Sequence, residues 1–224
     1  MSLQYSTIFE MSILKTIRFN YYYVYKKNKS IKQFLRFPFI IGKNVLLMDL
    51  SGEVILKDDF DGHIGIGFGR ISIFDRKREK SIWNNRGAIY FLGNAHLGHG
   101  TRINNLGRIV FGERFGISAN TTIDCNKEIV FGDDCLLSWD ILIMDSDTHK
   151  VINMKTNKRI NEDRSIYLGN HVWVGCRSTI LKGSRISDNT VIAAGSVLAD
   201  SVEENNVVIG SRGHIIKKDI DWMV

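Results

Sequence analysis

Proline and cysteine are scarce in this 224-residue chain, and the scarcity excludes several classes of protein. Pro38 is the only proline, which argues against a long proline-rich linker. The cysteines are odd in number and widely spaced, which favours neither a disulfide framework nor a zinc site and leaves them a space-filling role. They are Cys125, Cys135 and Cys176.

Long apolar runs are also missing. No run reaches the roughly 18 residues that a membrane span needs. Lys15 and Arg18 stand where a signal peptide would have its apolar stretch. We therefore predict a cytoplasmic protein, with the inner face of the membrane as the alternative location.

Acidic residues are scarce only near the N-terminus. Residues 1–40 contain one acid, Glu10, and seven basic residues: Lys15, Arg18, Lys26, Lys27, Lys29, Lys32 and Arg36. The remainder has 23 basic and 23 acidic residues. A nucleic-acid-binding protein needs a basic stripe across its fold, so we predict no nucleic-acid partner.

The feature that is abundant is an aliphatic residue at every sixth position. The clearest series is Leu168, Val174, Ile180, Ile186, Ile192 and Leu198. Small or β-branched residues follow four positions after each: Val172, Ser178, Ser184, Thr190, Ser196 and Val202. A period of six fits neither the 3.6-residue helix nor simple strand alternation. It predicts a triangular coil with about eighteen residues per turn, which is a parallel β-helix.

The same step of six recurs upstream in three runs, offset from one another by two residues. They are Phe91, Leu97, Ile103 and Ile109; then Phe111, Ile117, Ile123 and Ile129; then Phe131, Leu137 and Ile143. We interpret the offsets as bulged corners of the coil.

Three segments follow from this pattern. Residues 1–40 form a basic, aromatic helical segment, residues 41–203 form the β-helix, and residues 204–224 form a tail that covers its last coil. An apolar stripe at spacing four predicts a helix over 8–26. Its residues are Phe9, Ile13, Ile17, Tyr21 and Tyr25. The helix either caps the first coil or packs along a neighbouring subunit; the alternative is that, with its lysines, it rests on an anionic membrane surface.

The repeat stops at "DSDTH", residues 145–149, and a polar, aperiodic stretch follows. Long aperiodic loops in compact domains are commonly functional. We therefore predict one long excursion loop, 149–165, that serves catalysis.

These motifs resemble a known family. "GNHVWVGCRSTILKGSRISDNTVIAAGSVLAD" is similar to the C-terminal coils of bacterial hexapeptide-repeat O-acetyltransferases that modify maltose and galactosides. "SWDILIMDSDTHK", with "IGFG", "IFD" and "IWNNRG", resembles the capsule and lipopolysaccharide branch. The resemblance covers about residues 38–217 and implies an all-β, left-handed parallel β-helix with an N-terminal helical cap. It also implies a homotrimer with sites between subunits.

The resemblance further implies acetyl transfer from acetyl-CoA to a sugar hydroxyl, without a metal. His149 lies at the position of the family's catalytic base, and an imidazole suits proton removal near neutral pH. Asp145 or Asp147 would orient its ring, because strand alternation places both on the His149 face.

Further positions carry over from the family. Asn120, Trp139 and Asp140 would contact the sugar, although a polar corner residue and a trimer contact are equal alternatives for Asn120 and Trp139. The matching cofactor positions are Trp173, Cys176, Ala194, His214 and Lys217. The family's "GNPA"-like tail reads "GSRG" here, and Ala199-Asp200 replaces Thr-Lys. The N-terminal acceptor-binding region of the maltose enzymes is not recognisable here, which favours a polysaccharide precursor or a lipid-linked glycan as substrate.

Three other functions use this fold. An N-acetyltransferase of an amino-sugar nucleotide commonly has glutamate after its histidine, whereas Lys150 follows His149 here. A γ-type carbonic anhydrase needs three converging histidines. His63, His96 and His99 are available, but the last two are three residues apart and should point differently. A non-enzymatic scaffold would not need the excursion loop.

Overall fold

The computed structural model describes residues 10–27, 30–75 and 78–223. Within these ranges, the α-helices α1 (Ile13–Asn20) and α2 (Ile31–Arg36) precede the strands. A π-helical turn, Tyr21–Lys27, continues α1. Ser12 and Ser30 begin the helices by accepting hydrogen bonds from Lys15 N and Gln33 N. The predicted Phe9 and Lys29 lie outside the described residues.

The strands form three walls of a coil. The first wall runs β1-β4-β7-β10-β13-β18-β21-β24-β25, the second β2-β5-β8-β11-β14-β19-β22 and the third β3-β6-β9-β12-β17-β20-β23. All pairs within the walls are parallel except β24 with β25.

The strand bounds of the first wall are β1 Phe39–Ile41, β4 Ile64–Phe68, β7 Ala95–His99, β10 Phe115–Ala119, β13 Leu136–Trp139, β18 Trp173–Val174, β21 Thr190–Ile192, β24 Val207–Ile209 and β25 Ile215–Lys217. Those of the second wall are β2 Val45–Asp49, β5 Ser81–Asn85, β8 Arg102–Asn105, β11 Thr122–Cys125, β14 Leu142–Met144, β19 Thr179–Leu181 and β22 Val197–Leu198. Those of the third wall are β3 Glu53–Leu56, β6 Ala88–Phe91, β9 Arg108–Phe111, β12 Glu128–Phe131, β17 Ile166–Leu168, β20 Arg185–Ile186 and β23 Ser201–Val202.

The core predicted from the six-residue step is confirmed. Every aliphatic and aromatic member of the four series is buried, and so are the six small or β-branched residues of the C-terminal series. Phe91, Phe111 and Phe131 stack above one another with ring centroids 5.0 and 5.5 Å apart. Stacked coils therefore bury a continuous column that no single coil could bury alone.

The prediction of bulged corners is wrong. Ile109 pairs with Ile129 and Phe111 with Phe131 in an unbroken register, and all four side chains point inward from β9 and β12. The two additional residues lengthen the strands of the third wall, which gives these coils twenty residues. Farther along, Val174 pairs with Ile192, and the coil has eighteen.

The N-terminal helix covers the first coil, but with a different face from the predicted stripe. Phe19 and Tyr23 are buried against Trp83, with centroids 5.1 and 6.3 Å from its ring. The stripe residues Ile13 and Ile17 are exposed. The parallel strands begin at Phe39, within the predicted segment 1–40.

The C-terminal tail packs back onto the last coils. Its strand β25 pairs antiparallel with β24, which lies within the predicted tail 204–224 and is still part of the coil. Trp222 stacks on His171 at 4.3 Å, and its indole N–H donates to the His171 carbonyl oxygen. The tail thus covers an otherwise unpaired strand edge.

Candidate active site

The predicted site residues lie mainly at two corners of the coil. We call the passage from the first wall to the second the first corner, and the passage from the second wall to the third the second corner. The excursion that follows β14 leaves at the second corner and carries His149.

Asp145 opens the second corner as a buried carboxylate. Its Oδ1 accepts the N–H of Asn126 at 2.7 Å, and its Oδ2 accepts those of Lys127 at 2.8 Å and Glu128 at 2.7 Å. Both oxygens are therefore used to close the corner of the preceding coil, which is a structural role.

The expectation that both aspartates share the His149 face is wrong. Strand alternation ends with β14 at Met144. Thr148 adopts a positive φ of 63°, and the His149 N–H bonds the Asp147 carbonyl oxygen at 2.6 Å. The chain turns here, so Asp145 is buried while Asp147 and His149 are exposed.

Asp147 holds the excursion in place through two partners. Its Oδ2 accepts a hydrogen bond from the Lys182 ammonium and another, at 2.7 Å, from the Asn161 amide. The Lys182 hydrogen bond, followed by that of Asn161, lowers the pKa of Asp147. The carboxylate therefore stays ionised and ties the excursion to the residue after β19.

Asn161 connects the two ends of the excursion. Its amide also donates to the His149 carbonyl oxygen at 2.8 Å, and its Oδ1 accepts the N–H of Val151 at 2.7 Å. The arms between pair as a short hairpin, β15 (Ile152–Asn153) with β16 (Lys158–Arg159). We call Asp147, Asn161 and Lys182 the loop clamp.

The clamp fixes the backbone of His149 and leaves its side chain exposed. Sequence reasoning missed Asn161 and Lys182. Asn161 lies in an aperiodic polar stretch, and Lys182 directly follows a core strand, so neither position carries a signal of its own.

The first corner gathers the predicted acceptor and cofactor residues. Its turns use left-handed backbone at Asn120, Asp140, Arg177 and Gly195, with φ between 48° and 72°. Successive turns bond one another: Arg177 N donates to Trp139 O and Gly195 N to Cys176 O, both at 2.9 Å. Asn120, Trp139, Asp140, Cys176 and Ala194 thus rise in one column.

The remaining cofactor candidates lie near the top of this column or on the first wall. The turn Ser211–Gly213 meets the column where the Val197 N–H donates to Ser211 Oγ at 3.1 Å. His214 and Lys217 follow and are exposed. Trp173 lies on the first wall, and its indole N–H donates to Ser138 Oγ at 3.0 Å.

One chain does not bring the two corners together, because the second wall lies between them. Asn120 and Cys176 follow strands of the first wall, whereas Asp147 and His149 follow a strand of the second. His149 therefore faces none of the acceptor or cofactor candidates of its own chain.

A second excursion, which the sequence analysis did not identify, leaves the first corner between β4 and β5. It lies over the outer face of the first wall. There Gly69, Arg70 and Ile71 line a shallow open pocket of ≈ 230 Å³ together with His96, Gly116, Ser118 and Leu136.

The histidines considered for a metal site are His63, which precedes β4, and two residues of β7. His96 is exposed on β7 and His99 is buried on the same strand. Within the described ranges, no group of three His, Cys, Asp or Glu side chains is arranged to hold a metal ion.

Comparison with known proteins identifies the family, although no family model matches the chain. The putative lipopolysaccharide biosynthesis O-acetyl transferase WbbJ of Escherichia coli K12 is 31% identical over 144 residues, 60% of this chain and 74% of the relative. The chain belongs to the hexapeptide-repeat O-acetyltransferase family. The polysialic acid O-acetyltransferase of Escherichia coli O1:K1 / APEC is 30% identical over 116 residues, which are 51% of this chain and 38% of that relative.

The structure of the polySia-specific acetyltransferase NeuO supports the fold of this family member. The two structures superpose with a TM-score of 0.54 at 20% sequence identity, and the match covers 84% of this chain and 79% of the NeuO chain. The predicted fold class, a left-handed parallel β-helix with an N-terminal helical cap and a long excursion loop, is confirmed.

Proposed function

We propose that the protein moves an acetyl group from acetyl-CoA to a hydroxyl group of a surface-polysaccharide precursor, with His149 as the general base. The observation that carries this proposal is His149 itself, exposed at a break in the coil on a backbone that the loop clamp holds. The family relationship supports the acyltransferase class. The names of the two relatives, which concern lipopolysaccharide biosynthesis and polysialic acid, support a glycan acceptor.

The chemistry needs one base. The imidazole of His149 takes the proton of the sugar hydroxyl as its oxygen attacks the thioester carbonyl carbon. When the carbon–sulfur bond breaks, the imidazolium returns that proton to the leaving sulfur. No covalent enzyme intermediate is needed. The loop clamp contributes by holding the His149 peptide, while the ring remains accessible to the acceptor.

In this proposal, the first corner holds the pantetheine arm of acetyl-CoA. Ala194 is exposed, and its backbone N–H and C=O have no hydrogen-bond partner among the residues that the structure describes. The amides of the arm would bond such groups, and the exposed His214 and Lys217 beyond them suit phosphates. In this proposal Cys176 and Ala194 line the arm, while Asn120, Trp139 and Asp140 line the acceptor.

A homotrimer completes the site in this proposal. Since the second wall separates the corners within one chain, His149 needs the first corner of another copy. Cyclic assembly of three copies provides one such pairing at each interface.

The decisive experiment expresses wild type or His149→Ala in a host that lacks the gene, with Lys150→Ala as a matched control on the same loop. Wild type and Lys150→Ala should restore alkali-labile acetyl groups to the surface glycan, and His149→Ala should not. Purified His149→Ala should keep its circular dichroism and lose turnover by about a hundredfold or more. Near-normal turnover would refute the assignment, and alkali-stable acetyl groups would indicate N-acetylation.

A further inference from the structure

The N-terminal helical segment has two apolar faces, and only one of them is needed for the fold. The inner face buries Phe19, Tyr23 and Val24 against the first coil. The outer face leaves large apolar side chains exposed on both sides of the turn between the helices: Ile13, Leu14, Ile17, Tyr21, Tyr25, Ile31 and Leu35. Leu14 is 81% and Leu35 69% exposed. Clustered exposure of this kind marks an interaction surface.

Two lysines hold the segment in position. Lys15 Nζ donates to the carbonyl oxygens of Lys43 and Val45, both at 2.7 Å. Lys27 Nζ donates to those of Ser51 at 2.6 Å and Gly52 at 2.7 Å. The inner face is therefore fixed on the coil at both ends of the helical stretch 13–27, and the outer face points away from it.

The charge around the outer face has one sign. No acidic residue occurs between Met11 and Met48. Arg18, Lys26, Lys32 and Arg36 are all exposed. Contact of this face with the same face of a second copy would bring these cations together, which is unfavourable. The rest of the chain offers no balancing acidic excess, since residues 41–224 carry 23 charges of each sign.

We propose that this outer face docks the protein on an anionic phospholipid surface. Interfacial helices insert apolar side chains below the headgroups and hold basic residues at headgroup level, which is the combination found here. No helix among the described residues is long and apolar enough to span a bilayer, so contact through this face would be peripheral. The corner that carries His149 follows β14, which lies four strands from β2 in the second wall. Docking through the N-terminal segment would therefore leave this corner roughly 20 Å from the first coil, measured along the stack of coils.

Vesicle co-sedimentation tests the proposal with the full-length protein. Wild type should sediment with phosphatidylcholine vesicles that contain phosphatidylglycerol and stay in solution with phosphatidylcholine alone. Leu14→Gln combined with Leu35→Gln should weaken binding by at least about tenfold. Lys32→Gln combined with Arg36→Gln should weaken it about fivefold for each charge removed.

Ile73→Gln is the matched control, because Ile73 is 64% exposed on the other excursion and lies outside this face. It should bind like wild type. Raising the salt from about 0.1 M to about 1 M should release wild type, because the Debye length falls from roughly 10 to 3 Å.

Three results would overturn the proposal. Wild type could stay in solution with phosphatidylglycerol vesicles at low salt, or the Leu14 and Leu35 variant could bind as tightly as wild type. Light scattering could instead show that this variant changes the oligomeric state, so that a second copy covers the face. Acyl transfer to a soluble acceptor without vesicles should be unchanged in all variants. A failure of the docking proposal can therefore be distinguished from a failure of the proposed acetyl transfer.

Discussion

Asp145 and Asp147 are two residues apart and have opposite environments. A buried carboxylate is costly unless hydrogen bonds compensate it, and Asp145 receives three from consecutive backbone N–H groups. Asp147 is exposed and is held by an ammonium and an amide. The first aspartate therefore closes the coil, and the second positions the loop that carries His149.

Because their environments differ, we expect replacement of Asp145 to affect mainly stability and replacement of Asp147 to affect mainly turnover. Asp145→Ala should lower the free energy of unfolding by about 3 kcal/mol or more, because it leaves three N–H groups without an acceptor. Asp147→Ala should lower it much less than Asp145→Ala does, since the Asp147 side chain is 44% exposed and water screens its ion pair. Urea unfolding measures both.

Acyl-transfer kinetics complete the comparison. Asp147→Ala should reduce kcat without a matching loss of stability, and Asp147→Asn should recover part of it through the Asn161 contact. An Asp145→Ala variant as stable as wild type, or an Asp147→Ala variant with normal kcat, would contradict these roles.

At the scale of the element, the coil constrains its corners as tightly as its core. Gly87 and Gly107 occupy equivalent turns after β5 and β8, where the backbones of successive coils lie close together. A β-carbon at Gly107 would overlap the carbonyl oxygen of Lys127 in the next coil. Backbone cannot move aside as a flexible side chain can, so these corners require glycine.

Gly107→Ala should therefore destabilise the protein by about 2 kcal/mol or more. Gly65→Ala is the matched control on a strand, because its nearest neighbour would be Phe68 Cδ2 at an ordinary 3.5 Å. It should change stability by less than about 1 kcal/mol. Equal urea midpoints for the two variants would show that the corners tolerate a side chain.

The elements that the sequence predicted best are those whose residues repeat. A six-residue step identifies the inward positions because each coil imposes the same condition on the next. The helix stripe was misleading: Ile13, Ile17 and Tyr21 share one face, yet both faces are apolar and spacing alone does not say which one packs. The excursion between β4 and β5 was missed, although its polar, aperiodic residues carry the same signal as those after His149.

The site was predictable in part for a related reason. His149 stands out because it breaks a pattern, whereas the loop clamp depends on how the excursion folds back. Asp145 was assigned by strand alternation, a rule that stops where β14 ends. A contact between residues such as Asn161 and Asp147, fourteen apart in an aperiodic stretch, follows from tertiary structure alone.

For the whole molecule, the arrangement of the corners determines how the proposed site can be completed. Every acceptor and arm-binding candidate at the first corner is separated from His149 by the second wall of its own chain. A chain acting alone would therefore have a base without a donor beside it. Pairing the second corner of one copy with the first corner of the next removes this problem.

Complementation between two inactive variants tests this pairing. His149→Ala removes the base, and Ala194→Trp places a bulky side chain at the exposed backbone proposed for the pantetheine arm. Each variant alone should be inactive. In a cyclic trimer containing both chains, about one site in three combines an intact first corner with an intact second corner. Trimers co-expressed with different tags and purified through both should therefore recover about a third of the wild-type turnover. Mixed trimers that stay inactive would place the whole site within one chain.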